Sequence, residues 1–236
     1  MPWKSARNGG RRNKNVQVKT AQGRRLSSTR WLDRQLNDPY VAEAQRVGYR
    51  SRAAFKLIEI DDRLRLLKPG QIVVDLGAAP GGWTQVALER AKADGSGGRV
   101  VALDRREIDP IAGAEVLTAD FQAPEGFSAL MTAIGGAPVD IVLSDLSPST
   151  TGHKSTDQLR IIALVEDAVQ YAEAVLAQGG ILVVKVFQSG ADTDVLRRVR
   201  SRFDKVRHIK PPASRSDSAE TYLVAQGYKG RGSKVP

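Results

Sequence analysis

The chain has no cysteine. That excludes disulfide staples, thiolate zinc sites and a cysteine nucleophile, and it suits a reducing compartment. No apolar stretch reaches membrane-spanning length, because the longest candidates, near Ile161–Leu176 and Ile181–Phe187, are interrupted by charge. No association with a membrane is therefore expected. Aromatic residues make up only 6% of the chain and no RNA-recognition-motif signature is present, which argues against single-strand stacking platforms. The first thirty residues lack acids altogether. No hydrophobic segment follows this positive start, which excludes a secretory signal, although an Arg-rich, acid-free beginning also fits an organelle transit peptide.

What is present is basic charge, unevenly placed. The net charge is +10, and nine Lys or Arg (Lys4, Arg7, Arg11, Arg12, Lys14, Lys19, Arg24, Arg25 and Arg30) fall in residues 1–30, leaving 27 basic against 26 acidic residues elsewhere. Such a block reads as a solvated arm that can also release counterions from a polyanion. A second cluster comprises Arg197, Arg198, Arg200, Arg202, Lys205, Arg207, Lys210 and Arg215, opposed from Leu196 to Arg215 by Asp204 alone. Part of it reads as a solvated helix face. With Arg50, Arg52 and the arm, it can also flank a cleft and follow a phosphate backbone.

At 236 residues the chain fits one substantial domain with extensions. The expected division is a basic tail over 1–28, one domain over 29–230 and a short tail over 231–236. Ser27-Ser28-Thr29 offers caps for a helix over Trp31–Asn37, followed by helices over Asp38–Gly48 and Arg52–Leu66. Pro69-Gly70 ends the third. Strands and helices then alternate, with strands at Gln71–Leu76, Arg99–Asp104, Glu115–Thr118, Pro138–Asp145, Ile181–Phe187, Val206–Ile209 and Thr221–Gln226. Helices are expected at Gly82–Ala93, Thr156–Ala177 and Asp192–Phe203. This order predicts an α/β, Rossmann-like fold: a seven-stranded, mostly parallel sheet with an antiparallel last strand and helices on both faces.

The segment Asp75-Leu76-Gly77-Ala78-Ala79-Pro80-Gly81-Gly82-Trp83 lies where the first strand turns into a helix, the place at which open α/β sheets bind ligands. Its small residues allow close backbone approach. The spacing is neither the dinucleotide G-x-G-x-x-G nor a phosphate-gripping P-loop. A nucleoside cofactor without a pyrophosphate fits better, and S-adenosylmethionine is the expectation. Asp104, ending the second strand, is placed to accept hydrogen bonds from ribose hydroxyls, and Asp120, after the third, to face an adenine amino group.

Lys56, Asp145, Lys185 and Glu220 are far apart in sequence, yet each lies at or beside an element end. A lysine inside Val183-Val184-Lys185-Val186-Phe187 is costly to bury unless it is paired or lines a cleft. If the last strand runs antiparallel, its start at Glu220 shares a sheet edge with Asp145 and Lys185, and Lys56 closes the site from a preceding helix. A ribose 2′-hydroxyl is a weak acid whose proton must leave as a methyl group arrives, and a neutral lysine amine can take it. Lys185 is the expected base, oriented by Asp145 and Glu220, with Lys56 tuning charge or gripping substrate. Ordinary ion pairs at strand ends are the plain alternative.

These residues sit in Arg50-Ser51-Arg52-Ala53-Ala54-Phe55-Lys56-Leu57, the Asp75–Trp83 loop, Ser144-Asp145-Leu146-Ser147-Pro148, Val183–Phe187, and Ser214-Arg215-Ser216 leading to Glu220. Taken together over Trp31 to Tyr228 they closely resemble the FtsJ/RrmJ family of S-adenosylmethionine-dependent ribose 2′-O-methyltransferases. The resemblance implies a Lys-Asp-Lys-Glu tetrad at Lys56, Asp145, Lys185 and Glu220, and cofactor contacts at Gly81, Trp83, Asp104, Asp120 and Asp145. It implies no metal. It also implies a cytoplasmic, monomeric enzyme acting on large-subunit ribosomal RNA, at a uridine of the aminoacyl-tRNA-binding loop. Two departures stand out: Ser149 occupies a place where bacterial members usually carry Asn, and the basic tail is longer than the family's.

Rival readings are less complete. A methylase of small molecules or proteins needs neither basic cluster. A base N-methylase usually carries Asn or Asp followed by Pro-Pro and an aromatic at the fourth strand, which Asp145-Leu146-Ser147-Pro148 does not match. An NAD oxidoreductase has different glycine spacing. A non-catalytic assembly factor has no need of the whole tetrad, and a related enzyme on transfer RNA or organellar ribosomal RNA remains the nearest variant.

Overall fold

The computed structural model describes residues 26–91, 97–148, 152–187 and 193–230. Three helices lead in: α1 (Leu26–Leu36), α2 (Pro39–Val47) and α3 (Ala53–Leu64). The Asp38 side chain caps α2 by accepting the Tyr40 amide hydrogen, with Pro39 at the first helical position, and Gly48 closes the helix at φ 86. At the end of α3, Asp61 Oδ1 accepts the amides of Leu66 and Leu67, both at 2.7 Å. This satisfies donors where the chain turns into the sheet.

The sheet then builds by alternation: β1 (Ile72–Leu76), α4 (Gly82–Ala91), β2 (Arg99–Asp104), β3 (Ala114–Thr118), α5 (Pro124–Ala133), β4 (Val139–Ser144), α6 (Lys154–Val175), β5 (Leu176–Phe187), α7 (Thr193–Arg202), β6 (Phe203–Ile209) and β7 (Glu220–Tyr228). The strand order is β3-β2-β1-β4-β5-β7-β6. Neighbours are parallel except at β7, which slots between β5 and β6 and runs antiparallel to both. The expected seven strands and antiparallel last strand are both present.

The five central strands, β2, β1, β4, β5 and β7, bury both faces, as their nearly continuous apolar runs require, whereas the edge strands β3 and β6 stay partly exposed. Val74, Leu76, Leu182 and Val184 pack toward α5, α6 and α7. Val73, Val183, Tyr222 and Val224 pack toward α2, α3 and α4. Alternation along the strand therefore sends Lys185, two residues after Val183, to the face covered by α3.

Several boundaries differ from expectation. Helix α1 spans Leu26–Leu36, so Ser27-Ser28-Thr29, expected to precede it, fall within its range. Strand β5 begins at Leu176, where a helix was expected to reach Ala177, because Leu176 already pairs with Val139 ahead of an irregularity in the β4 register. Helix α5 was not anticipated. Its Gly126 looks like a helix breaker, but a Cβ there would lie 2.0 Å from the Asp120 carbonyl oxygen. Close packing demands the glycine, and Pro124 at the helix start was the available signal. Most of the basic tail, residues 1–25, lies outside the described residues, as do Ser149, Asp192 and 231–236.

Candidate active site

Strand order reverses between β1 and β4, and the carboxyl ends of these strands open onto the site. Register does the rest. Leu76 pairs with Ser144, Ser144 with Val184, Lys185 with Tyr222, and Phe187 with Glu220. Asp145, one residue past β4, thus lies beside Lys185, while Glu220 starts the antiparallel strand at the same edge.

All four predicted site residues meet there. Lys185 Nζ donates to the Asp145 main-chain oxygen at 2.7 Å and to Asp145 Oδ1 at 2.9 Å. It stands 3.9 Å from Glu220 Oε2. Lys56 Nζ, from α3, contacts Glu220 Oε1 at 2.7 Å, and Ser214 Oγ donates to the same oxygen at 3.0 Å. The lysine side chains are nearly enclosed, Lys185 at 5% exposed and Lys56 at 11%. Two buried amines and two carboxylates offset one another, which isolated burial of either kind would not allow.

Tyr222 joins them, and it was not predicted. Its hydroxyl donates to Asp145 Oδ1 at 2.7 Å, and its ring lies under Lys56 Nζ, 5.8 Å from the centroid. Its position two residues after Glu220 on a strand, hence on the same face, was the sequence signal. Burial pushes the Tyr222 hydroxyl well above its ordinary pKa, and the nearby Asp145 and Glu220 carboxylates push the same way. It therefore stays a proton donor. Burial alone would raise Asp145, but Lys185, Lys56 and the hydrogen bonds from Tyr222 and Lys185 outweigh it, leaving that carboxyl below its usual range.

Beside the tetrad, Gly77, Asp104, Asp120, Leu146 and Leu164 line a cleft at the carboxyl ends of the strands, the position at which open α/β sheets bind ligands. At Gly77, φ is 77 and a Cβ would sit 2.5 Å from Leu146 Cδ2, so glycine is required there. Asp104 accepts the amides of Ala79 at 3.0 Å and Arg106 at 2.8 Å. Its carboxylate keeps lone pairs for hydroxyl donors. Asp120 accepts the Gln122 amide at 3.1 Å and stands 3.7 Å from Arg105 Nη1. Gly81 is at the turn into α4, whereas the Trp83 ring is buried, tilted at 40° against Tyr222 with centroids 5.4 Å apart and donating to the Ala53 carbonyl at 2.8 Å. Asp75 is fully buried. Thr84 Oγ1 donates to its Oδ2 at 2.7 Å, and its Oδ1 has no hydrogen-bond partner among the described residues. Burial raises its pKa to about 7 against the Thr84 hydrogen bond, with Asp145 and Asp104 adding to the rise.

A family model described as FtsJ-like methyltransferase matches residues 49–228, spanning every residue of the tetrad. The chain belongs to the FtsJ-like methyltransferase family. Among curated relatives of this methyltransferase, the Ribosomal RNA large subunit methyltransferase E of Paramagnetospirillum magneticum is 58% identical over 224 residues, covering 94% of this chain and 91% of that one. The protein of the same name from Maricaulis maris is 56% identical, covering 90% and 74%. Among solved structures, a Plasmodium falciparum protein provisionally named a ribosomal RNA methyltransferase superposes with a TM-score of 0.68 at 29% identity, covering 78% of this chain and 100% of that one.

A second, polar cleft of about 370 Å³ adjoins the tetrad, lined by Arg34, Arg52, Lys56, Arg215, Asp217, Ser218 and Glu220. Arg52 and Arg215 are held from behind by the nearly buried Asp38, at 3.1 and 3.2 Å. The remaining expected basic residues divide. Arg198 is engaged by Glu173 and Arg197 by Asp194, while Lys210 donates to the carbonyls of Ser216 and Ser218. Arg200, Lys205 and Arg207 are exposed. No helix among the described residues is long and apolar enough to cross a membrane, and no cluster of potential metal ligands occurs among them.

Proposed function

We propose that this methyltransferase uses S-adenosylmethionine to methylate a ribose 2′-hydroxyl in large-subunit ribosomal RNA, at a uridine of the aminoacyl-tRNA-binding loop, in the cytoplasm. The observation that carries the reading is the convergence of Lys56, Asp145, Lys185 and Glu220 beside the glycine-bounded cleft. The curated relatives' names support the ribosomal substrate.

The cofactor supplies an electrophilic methyl group on a sulfonium. Asp104 would accept hydrogen bonds from its ribose hydroxyls, Asp120 would hold its adenine amino group, and Gly77 and Gly81 would let the backbone approach it closely. Lys185 does the proton work. Its nitrogen has three positions besides the stem, and Asp145 takes two of them. The third is left for the substrate hydroxyl, on the side of Glu220. As a free amine Lys185 takes the 2′-hydroxyl proton onto Nζ while the oxygen is methylated, and the resulting ammonium is stabilised by Asp145 and Glu220. Lys56, fixed by Glu220, closes the other side and holds substrate in line.

The decisive experiment supplies labelled cofactor with ribosomal subunits and maps the methylated nucleotide by its resistance to alkaline cleavage. The expected outcome is one protected ribose in large-subunit RNA, absent with Lys185→Ala, which should still bind cofactor. Label on a base, on protein or nowhere would overturn the proposal.

A further inference from the structure

Arg50 was expected to face RNA phosphates, yet its guanidinium points at main-chain carbonyls. Nη1 donates to Asp109 O at 2.6 Å and to Pro80 O at 3.3 Å, and Nη2 donates to Pro110 O at 2.8 Å. Pro80 belongs to the glycine-rich loop between β1 and α4. Asp109 and Pro110 belong to the loop that leaves Asp104 at the end of β2. Gly77 in the first loop and Asp104 and Arg105 at the start of the second line the expected cofactor cleft, and Arg50 reaches both loops from the α2–α3 junction.

The rest of the side chain is built in as closely. A Cβ on Gly81, which sits at φ 111, would lie 3.3 Å from Arg50 Cδ and 2.5 Å from Ile111 Cδ1. Gly81 is thus the point where the Arg50 stem and the β2–β3 loop both press on the glycine-rich loop. The Arg50 amide donates to Gln85 Oε1 at 2.8 Å, and Gln85 Nε2 donates to Gly48 O at 3.0 Å, so α4 anchors the residue from its other side. Asp104 and Arg106 tie the same two loops at Ala79, through the Ala79 amide at 3.0 Å and its carbonyl at 2.9 Å. A guanidinium carries five N–H donors in a rigid fork, which suits it to bridging several carbonyls.

We propose that Arg50 is a positioning residue for the cofactor, clamping the glycine-rich loop to the β2–β3 loop so that both loops are set before S-adenosylmethionine binds. The inference rests on the functional reading above, and it assigns Arg50 to the cofactor and not to RNA. Preset loops spare the ligand the cost of ordering them, so losing the clamp weakens binding without touching the reacting groups.

The test is calorimetric titration of the full chain with S-adenosylhomocysteine, comparing wild type with Arg50→Met, which keeps the stem against Gly81 and Ile111 but removes the donors, and with Arg50→Lys. The expected result is a Kd raised about tenfold in Arg50→Met, the scale of a charge-assisted hydrogen bond. Arg50→Lys should fall between, since one ammonium cannot span the same carbonyls. In turnover assays the cofactor KM should rise while kcat at saturation holds, a split that a general loss of fold would not give. The salt dependence of binding to ribosomal RNA should match wild type, whereas removing a cation that pairs with a phosphate lowers that slope by about one. An unchanged Kd in both variants overturns the proposal, whether accompanied by a lowered salt slope or only by a lower melting temperature. If Arg50→Met does not fold, Arg50→Lys decides alone. A wild-type chain that binds no S-adenosylhomocysteine overturns the functional reading, and this inference with it.

Discussion

Lys185 occupies a place that packing alone would give to an apolar residue. It follows Val183 and Val184 on a strand buried on both faces, and its charge is matched by Asp145 and Glu220. Substituting apolar residues for a buried pair of this kind is often neutral or stabilising, so fold stability is a weak reason for a lysine here. Lys185→Arg separates the remaining roles. It preserves the positive charge and the pairing to Asp145, but a guanidinium cannot act as a base. Turnover should drop at least about 100-fold, while S-adenosylhomocysteine affinity changes by only a few-fold in calorimetry. Retained turnover would leave Lys185 an electrostatic orienter and no base.

Asp75 makes a second prediction at this scale, in stability and not in rate. Its carboxyl goes from an ordinary value of 3.8 in the unfolded chain to about 7 when buried. Between those values the folded state holds the extra proton. The contribution of Asp75 to stability is therefore complete below about pH 4 and is lost as pH rises through about 7. Asp75→Asn removes the titration while leaving an acceptor for Thr84. The melting temperature of the variant relative to wild type should rise between pH 5 and pH 8, by an amount equivalent to a few kcal/mol (~1.4 for each pKa unit). A pH-independent difference would show that Asp75 does not titrate in that window.

At the scale of elements, helix α5 and the Asp120 turn are locked together by the missing side chain at Gly126, where a Cβ would lie 2.0 Å from the Asp120 carbonyl. Gly126→Ala must push the turn away. The expected cost is ~1–3 kcal/mol, as for other overpacked sites, read as a lower melting temperature. S-adenosylhomocysteine binding should weaken along with it, because Asp120 lines the cleft proposed to take the cofactor. A destabilised variant with unchanged affinity would remove Asp120 from the cofactor site.

This helix also marks where sequence reading runs out. The seven strands and the convergence of Lys56, Asp145, Lys185 and Glu220 were legible because short apolar runs alternated with helical periods, and charges stood out at their ends. Helix α5 was hidden because its glycine answers to a tertiary contact, which no local propensity reports. The start of β5 was hidden because Leu176 continues an apolar run straight out of α6, and only pairing with Val139 makes it a strand. Arg50 was misplaced for a related reason. Composition counts its charge, but the carbonyls of Pro80, Asp109 and Pro110 that take up its donors lie up to sixty residues away in sequence.

Across the whole molecule, charge is organised in two ways that act differently on an RNA. Near the tetrad it is fixed: Asp38 holds Arg52 and Arg215 in place, so the polar cleft presents guanidinium groups in a set geometry. In residues 1–25 there are eight Lys or Arg and no acid, a concentration of charge that the nearly neutral remainder does not balance. Fixed cations can orient one ribose at Lys185, whereas a basic block far from neutrality mainly raises affinity for any polyanion by displacing counterions. Replacing those eight residues with Gln in the full chain should therefore weaken binding to ribosomal RNA and flatten its dependence on salt, by about 0.7–0.9 in log–log slope for each phosphate no longer neutralised. The cofactor Kd and the position of the methylated ribose should not change. Binding measured from 50 to 300 mM salt, with the site mapped in parallel, checks both halves: an unaltered slope would mean that the block neutralises no phosphate, and a shifted methylation site would give it a part in choosing the target.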